Sequence, residues 1–407
     1  MKEIVDRISS LPDDVLIHIL SYVTTREAVQ TCILSKRWRN TWSSVPVLNF
    51  GHQYLSLNGT TESWKFERFV NGVLANRERS RLDTVTYHCR LNNRNLEPSM
   101  EWLDRVALLM PQVISVNIFG FDEFKCPDSV FSCASLECLT LSLCDTKIEV
   151  TEPKSIALPS LKTLELQYSW LDDNLTQNLF LGCPTLETLK LSYCELHISS
   201  ISSNVLKNLE LYECKQFGHV RVSCPGLVSL IILSSKHSIR SISLENTTSL
   251  VNADIGLRGI DRSLNGDILP SPKLLNALSN ATSLDLYFGQ FSVLQERWME
   301  DIYICRTFNN LKSLKIGVLD KTSDFDLIAY FLQLSPVLQQ LTIYTWFNML
   351  FVEQKSQGDE ERRQQDVCFQ REYLETVTIY SWKDMVHKLV TMLGRHVKTI
   401  GNIIINE

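Results

Sequence analysis

Most of this chain follows one recurring pattern of apolar positions. From Leu82 onward, an apolar residue is followed by two other residues, a second apolar residue, one other residue and a third apolar residue. Strong copies of this pattern begin at Leu82, Val113, Leu136, Leu161, Leu186, Leu206, Leu227, Leu311, Leu338 and Leu374, and weaker copies begin at Leu250 and Ala281. Neighbouring copies begin 20 to 36 residues apart, which indicates a chain built from repeated units.

The pattern also predicts the structure of one unit. Alternate apolar residues of a short strand point to one face, and a helix or turn must then return the chain to the next strand. No unit can bury that face alone, so the stacked units are predicted to form a curved parallel sheet with helices on its convex side, near residues 102–109, 274–278, 325–334 and 385–393. The L-x-x-L-x-L core is typical of leucine-rich repeats, and the uneven spacing indicates an irregular solenoid of the α/β class.

The first fifty residues show a helical pattern instead. Apolar residues recur at helical spacing over 15–23, and Pro12 suits a first helical turn, where its missing N–H leaves no bond unmade. Thr24 can cap a second helix, and Trp38 and Trp42 mark a third. Three helices in so few residues cannot enclose all of their own apolar surface. This module is therefore predicted to need a partner.

Three motifs of the module occur in order, LPDDVL at 11–16, LSKRWR at 34–39 and VPxLxF at 45–50. Together they resemble the plant-type F-box, whose consensus often has Glu where this chain has Asp13. The resemblance implies a three-helix module that binds the Skp-type adaptor of a cullin-RING (SCF) ubiquitin ligase. The residues implied to contact the adaptor are Leu11, Pro12, Asp13, Leu16, Ile17, Ile19, Leu20 and Trp38. Each of these side chains has an alternative role, which is to pack the helices against one another.

A second resemblance covers residues 305–345. A repeat at 311–316, an acidic loop, a helix at 327–332 and SPVLxxLTI at 335–343 resemble the FBD region of many plant F-box proteins. The predicted organisation is an F-box at 6–50, a helical linker at 51–81, leucine-rich repeats at 82–304, an FBD-like region at 305–345 that continues the solenoid, a polar loop at 346–372 and a C-terminal strand-helix-strand at 373–407.

The cysteines follow the repeats rather than a disulfide framework. With the first apolar residue of a repeat counted as position one, Cys144, Cys194 and Cys214 fall at position nine. A small side chain there can turn inward and bond the backbone that leaves the strand. Three others lie three residues before a repeat begins, namely Cys133, Cys183 and Cys224. Free thiols are therefore expected, and no C-x-x-C pair favours a metal site.

Composition and charge argue against several classes of function. The 40 Lys and Arg residues and 46 Asp and Glu residues give a net charge of -6, so no general field attracts nucleic acid or an anionic membrane. No signal segment and no apolar run of roughly 18 residues occurs, which predicts an intracellular protein of the nucleus and/or cytoplasm. Phosphate-loop, zinc-protease and nucleophile-elbow motifs are absent, so neither catalysis nor a cofactor is predicted.

The remaining class of function is binding, and the repeats offer a second surface for it. Target contacts are predicted between the buried positions, on the concave face, at Glu165, Gln167, Lys190, Glu210, Tyr212 and Ile231. Mixed charge with aromatic and apolar groups suits a protein partner. The F-box resemblance then implies a substrate receptor, which reaches cullin and the RING protein through the adaptor. Two alternatives stay open, a non-ligase scaffold and a small-molecule co-receptor with a polar pocket.

Overall fold

The computed structural model describes residues 8, 10–51, 63–77, 82–90, 101–119, 126–144, 155–234, 242–257, 272–288, 306–319, 322–346, 371–381 and 383–406. The chain divides into two compact units, Met1–Ile198 (unit 1) and Ser199–Glu407 (unit 2). Most of the polar loop predicted at 346–372 lies outside the described residues.

Unit 1 begins with the helical module and continues with helices that alternate with strands. Its helices are α1 (Asp13–Leu20), α2 (Thr25–Gln30), α3 (Trp38–Thr41), α4 (Ser63–Asn76), α5 (Glu101–Leu108) and α6 (Asp173–Gly182), with 3-10 turns at Thr31–Ile33, Trp42–Ser44 and Val130–Ser132. The predicted cap of the second helix is confirmed. The backbone N–H of Glu27 donates to Thr24 Oγ1 at 3.2 Å, and the Thr24 N–H donates to Glu27 Oε2 at 2.9 Å. These bonds satisfy donors at the start of α2.

The strands of unit 1 form a parallel sheet. They are β1 (Val47–Gly51), β2 (Thr84–Arg90), β3 (Val113–Phe119), β4 (Cys138–Cys144), β5 (Thr163–Gln167), β6 (Trp170–Asp172), β7 (Thr188–Ser192) and β8 (Glu195–His197). The sheet order is β1-β2-β3-β4-β5-β7, and β6 pairs separately with β8. Its first strand was not predicted, because the VPxLxF motif was assigned to the helical module. Leu48 and Phe50 of that motif are buried, and β1 pairs in parallel with β2.

Unit 2 repeats the same architecture with more strands. Its helices are α7 (Pro272–Ala277), α8 (Thr322–Leu334) and α9 (Lys383–His396). Its strands are β9 (Ser200–Ser202), β10 (Asn208–Tyr212), β11 (Lys215–Gln216), β12 (Val220–Ser223), β13 (Ser229–Ser234), β14 (Ile242–Glu245), β15 (Asn252–Leu257), β16 (Ser283–Phe288), β17 (Ser313–Leu319), β18 (Gln340–Trp346), β19 (Arg371–Tyr380) and β20 (Val397–Asn406). The main order is β10-β13-β15-β16-β17-β18-β19-β20, and β12 lies between β9 and β14 in a smaller sheet.

The predicted core positions are confirmed along both sheets. Leu164 and Leu166 on β5 are 2% and 5% exposed, and Leu314 and Ile316 on β17 are fully buried. The residues between them are half-buried, so strand alternation separates a core face from an outward face. The helices predicted near 102–109, 274–278, 325–334 and 385–393 correspond to α5, α7, α8 and α9. The α/β fold class is thereby confirmed.

One repeat is out of register with its prediction. Val113 was taken as the first apolar residue of its repeat, but strand pairing places Val113 opposite Thr84 and Ile114 opposite Val85. The repeat therefore begins two residues earlier, at Pro111, and its core residues are Ile114 and Val116. The error arose because Ile118, which is also buried, completes the same spacing two residues later. By contrast, the weak copies at Leu250 and Ala281 are confirmed in register.

The turns that leave the strands explain the cysteines at position nine. The Cys194 thiol lies 3.4 Å from the carbonyl oxygens of Leu166 and Ser192, and the Cys214 thiol lies 3.6 Å from that of Tyr212. Both side chains are buried, as predicted, while the side chain of Cys144 is outside the described part. A left-handed conformation, with φ between 50° and 57°, occurs at Tyr193 and Glu213, which precede these cysteines, and at Tyr168, which precedes Ser169 in another repeat. Nothing in the spacing predicted it.

The cysteines that precede the repeats pack inside the core. Cys133, Cys183 and Cys224 are 2%, 1% and 0% exposed and carry free thiols, as expected. Burial raises the pKa of Cys183 to about 12 and that of Cys224 to about 11. The thiols of Cys183 and Cys224 therefore stay protonated at neutral pH, and all three cysteines act as small core side chains.

Candidate binding surfaces

The helical module has a core of its own. Leu16, Leu20, Ala28, Trp38 and Val45 form this buried cluster, and Leu11, Ile17, Val23, Trp42 and Val47 pack against it. Three of the predicted adaptor residues are core residues, because Leu16, Leu20 and Trp38 are only 0%, 4% and 7% exposed. Their side chains hold the helices together, so they can affect a partner surface only by fixing the positions of the exposed residues around them.

A second apolar set points away from that core. Val15 and Ile19 lie on one side of α1 and Tyr22 lies in the turn that follows it, and the three side chains are 39%, 43% and 78% exposed. Ile33 and Leu34, after the second helix, are 83% and 65% exposed. The sequence interpretation named Ile19 and missed the other four, because helical spacing alone does not tell which of two apolar sides of a helix faces the core.

Arg37 fixes the turn that precedes α1. Its Nε donates to Asp13 Oδ1 at 2.8 Å, and its guanidinium also donates to the Leu11 carbonyl oxygen. The Leu11 N–H donates to the Ile8 carbonyl oxygen at 3.1 Å, which closes the turn. As a result Pro12 and Asp13 are held exposed at the start of α1, next to half-buried Leu11.

The eight predicted adaptor residues therefore fall into two groups. Leu16, Leu20 and Trp38 lie in the core, whereas the others are exposed or half-buried around α1, namely Leu11, Pro12, Asp13, Ile17 and Ile19. Their contact with an adaptor stays a prediction.

On unit 1, three predicted target residues lie together on the outward face. Glu165 is paired with Lys190 across β5 and β7, and Gln167 is paired with Ser192. The Gln167 amide donates to Glu165 Oε1 at 2.8 Å, and its Oε1 accepts from Ser142 Oγ at 2.7 Å. This part of the face is polar, and its side chains bond to one another.

On unit 2, the other three predicted residues also lie together. Glu210 is paired with Ile231, and Tyr212 is paired with Leu233 across β10 and β13. The same two rows continue over the next strands, where the sequence interpretation named no residue. These further positions are Asp254, Gly256, Asp285, Tyr287, Lys315, Gly317, Thr342, Tyr344, Thr378 and Tyr380. They sit at positions five and seven of their repeats, so extending the count from Leu227 would have found them.

The continued rows differ chemically from those of unit 1. Lys315 Nζ donates to Asp285 Oδ2 at 2.7 Å, and this bond is the main cause that raises the pKa of Lys315. Burial, followed by the charges of Asp285 and Asp254, raises the pKa of Tyr287 to about 12. Tyr287 therefore keeps its hydroxyl proton at neutral pH and stands in a negative local field.

Among the described residues, no group of three or more His, Cys, Asp or Glu side chains is placed to hold a metal ion. Within the same part of the chain, no helix is both long and apolar enough to cross a membrane.

Two family models match this chain. Residues 8–50 match the F-box domain, and residues 101–253 match the leucine-rich repeats of the family described as FBD-associated F-box protein At5g56370. The first match covers the helical module with β1, and the second covers repeats of unit 1 together with the first repeats of unit 2.

Similar proteins come from Arabidopsis thaliana. F-box/LRR-repeat protein At3g26922 is 30% identical over 70% of this chain and 92% of its own length. Putative FBD-associated F-box protein At5g56440 is 32% identical over 66% of this chain and 64% of its own length. F-box/LRR-repeat protein 13 is 30% identical over 62% of this chain. The chain spans 57% of the length of that protein, so it covers less than two thirds of two of these relatives and nearly all of At3g26922.

Proposed function

Because the chain belongs to the plant F-box/LRR-repeat family, we propose that it is the substrate receptor of an SCF-type cullin-RING ubiquitin ligase. The observation that carries this proposal is the second apolar side of the helical module. Val15, Ile19 and Tyr22 are exposed although the module already has a complete core. An exposed apolar helix side on a small module is the feature that fits into the groove of a partner.

Each part of the α1 region has a distinct role in this proposal. Leu16, Leu20 and Trp38 set the position of α1, and Arg37 holds the Leu11–Asp13 turn. Ile19 and its exposed neighbours then bury apolar area against the Skp-type adaptor. Burial contributes roughly 25 cal/mol per Å² of apolar surface, so a few such side chains supply most of the attraction.

The proposed activity is proximity rather than chemistry. The adaptor connects the chain to cullin and the RING protein, while the outward faces of the repeats hold a target protein. A lysine of that target is then kept at high effective concentration near the ubiquitin-charged enzyme. The chain itself would form and break no bond, and it would work where such ligases do, in the nucleus and/or cytoplasm.

The test is co-purification of the adaptor and cullin with the full-length chain. Ile19→Asp places a charge on the exposed side of α1 and is expected to reduce adaptor recovery at least tenfold, since the charge must lose water in the interface. Leu108→Asp is the matched control, because Leu108 is 77% exposed on α5, outside the module. If both variants melt at the same temperature as the unchanged chain, the fold is kept.

Adaptor and cullin must be recovered with the unchanged chain and with Leu108→Asp. Recovery of neither would overturn the ligase assignment, and recovery of the adaptor without cullin would favour a non-ligase scaffold.

A further inference from the structure

The outward face of unit 2 carries two rows of side chains that run across the strands. The tyrosine row consists of residues paired one after another on β13 to β19, namely Leu233, Gly256, Tyr287, Gly317, Tyr344 and Tyr380. The acidic row runs beside it over β10 to β18, two residues earlier on each strand that the rows share. It consists of Glu210, Ile231, Asp254, Asp285, Lys315 and Thr342.

The rings of the tyrosine row lie close together. Tyr344 and Tyr380 are on adjacent strands and stack with centroids 4.7 Å apart and planes 11° apart. Tyr287 and Tyr344 are separated by β17, and neighbouring strands lie roughly 4.8 Å apart, which would keep these residues at about twice that distance. Their centroids are nevertheless 6.0 Å apart. The rings can approach because Gly317, the residue between them, has no side chain.

Gly256 has the same effect at the other end of the row. A Cβ at this position would lie 2.3 Å from Leu233 Cδ2 and 3.7 Å from Tyr287 Cδ2. Leu233 and Tyr287 therefore both lean over the glycine. Alternation of glycines with large side chains produces a low aromatic and apolar floor, in which Tyr287 and Tyr344 are half-buried and Tyr380 is 40% exposed.

The acidic row places negative charge beside that floor. Asp254 and Asp285 are paired on neighbouring strands beside Tyr287, and their charges add to burial in raising the pKa of its hydroxyl. Lys315 bonds Asp285 Oδ2, and only 16% of the Asp285 side chain is exposed. Within the described residues, the buried Oδ1 of Asp285 has no hydrogen-bond partner. A buried carboxylate oxygen in this state is costly, and it adds to the negative potential of this part of the face.

We propose that this face binds a basic segment of the target protein, with an Arg or Lys side chain on the rings of Tyr287 and Tyr344 and its charge directed to Asp254 and Asp285. A cation over an aromatic ring is attracted by the ring quadrupole, and a guanidinium also forms paired bonds with carboxylates. The same carboxylates repel the phosphates of a nucleic acid. This inference rests on the proposed function, since it names the class of target that the receptor holds.

The test is selection from a random displayed peptide library on the full-length chain. Recovered peptides are expected to be enriched in Arg and Lys and depleted in Asp and Glu. A recovered basic peptide should bind the Asp254→Asn/Asp285→Asn double variant about tenfold more weakly, because the charge partners are lost while the side-chain shapes are kept. Glu375→Gln is the matched control, since Glu375 is exposed on β19 outside both rows, and it should leave the affinity unchanged.

A second variant tests the rings independently. Tyr344→Ala/Tyr380→Ala should weaken the same peptide by a similar factor, and Tyr344→Phe/Tyr380→Phe should retain binding because the ring faces remain. These four substitutions lie on the outward face, so a melting curve shows directly whether each variant is folded.

Several results would overturn the inference. These are recovery of no peptide, recovery of peptides without basic enrichment, and equal affinity of the unchanged chain and the Asn double variant. Adaptor capture is measured on the same preparations. If the adaptor binds but basic peptides do not, this inference fails and the proposed function stands. If basic peptides bind but the adaptor does not, the proposed function fails and the peptide-binding face remains.

Discussion

The outward faces of the two units occupy the same repeat positions and have different chemistry. On unit 1, positions five and seven hold Glu165, Gln167 and Lys190, where Gln167 bonds to Glu165 and accepts from a neighbouring serine. On unit 2, the same positions hold stacked tyrosines, glycines and a partly buried Asp285. A face whose polar groups bond to one another gains little from a partner, whereas partly exposed rings beside carboxylates gain more.

The cores of the two units, unlike their outward faces, should respond alike to the same change. Leu164→Ala in unit 1 and Leu314→Ala in unit 2 should each lower the free energy of unfolding by about 2–5 kcal/mol, because both side chains are almost fully buried and leave cavities. Denaturant unfolding of each variant measures this effect. If Tyr344→Ala cost as much as Leu314→Ala, the division into a core face and an outward face would be wrong.

A smaller effect separates the lysine pairs of the two units. Lys315→Ala should cost about 1–3 kcal/mol, since it strands the buried carboxylate of Asp285. Lys162→Ala breaks a 2.7 Å pair with Glu137 whose side chains are 59% and 39% exposed, and it should cost clearly less than Lys315→Ala because solvent screens the pair. Thermal unfolding in low and high salt compares the two losses of stability. Equal costs would contradict the view that unit 2 carries the more buried charge.

The smallest expected effect concerns pH. The pKa of Tyr287 is raised from 10.0 to about 12, so the folded state holds this proton more tightly than the unfolded state. Its stabilising contribution is complete below pH 10 and is lost as the pH rises from 10 to 12. Solvent screens this half-buried ring, so the loss is small. Tyr287→Phe should flatten the pH dependence of the free energy of unfolding in this window.

The repeats show how far sequence spacing carries the fold. The L-x-x-L-x-L core predicted the strands and the helices α5, α7, α8 and α9, since burial of alternate residues leaves a regular trace in the sequence. The spacing failed at Val113, where three buried residues at alternate positions allow two registers that only strand pairing with β2 separates. It also failed to reveal that β1 belongs to the sheet.

The candidate surfaces were less predictable than the fold. The F-box resemblance implied adaptor contacts for Leu16, Leu20 and Ile19 alike, although only Ile19 is exposed. On the sheet, the rows beyond Ile231 were missed because positions five and seven were not counted past the repeat at Leu227, although the spacing continues in the later repeats. Nothing local in the sequence indicates that Tyr287 and Tyr344, which are 57 residues apart, have neighbouring rings.

The sequence by itself therefore determined the local alternation, the caps, the position of most repeats and the resemblance that identifies the helical module. Each of these depends on residues that are close together in the chain. The tertiary structure decided which side of α1 faces the core, which register the strands adopt, and which side chains meet across strands over glycines. These outcomes depend on contacts between distant segments, and the free energy of such contacts leaves no periodic trace in the sequence.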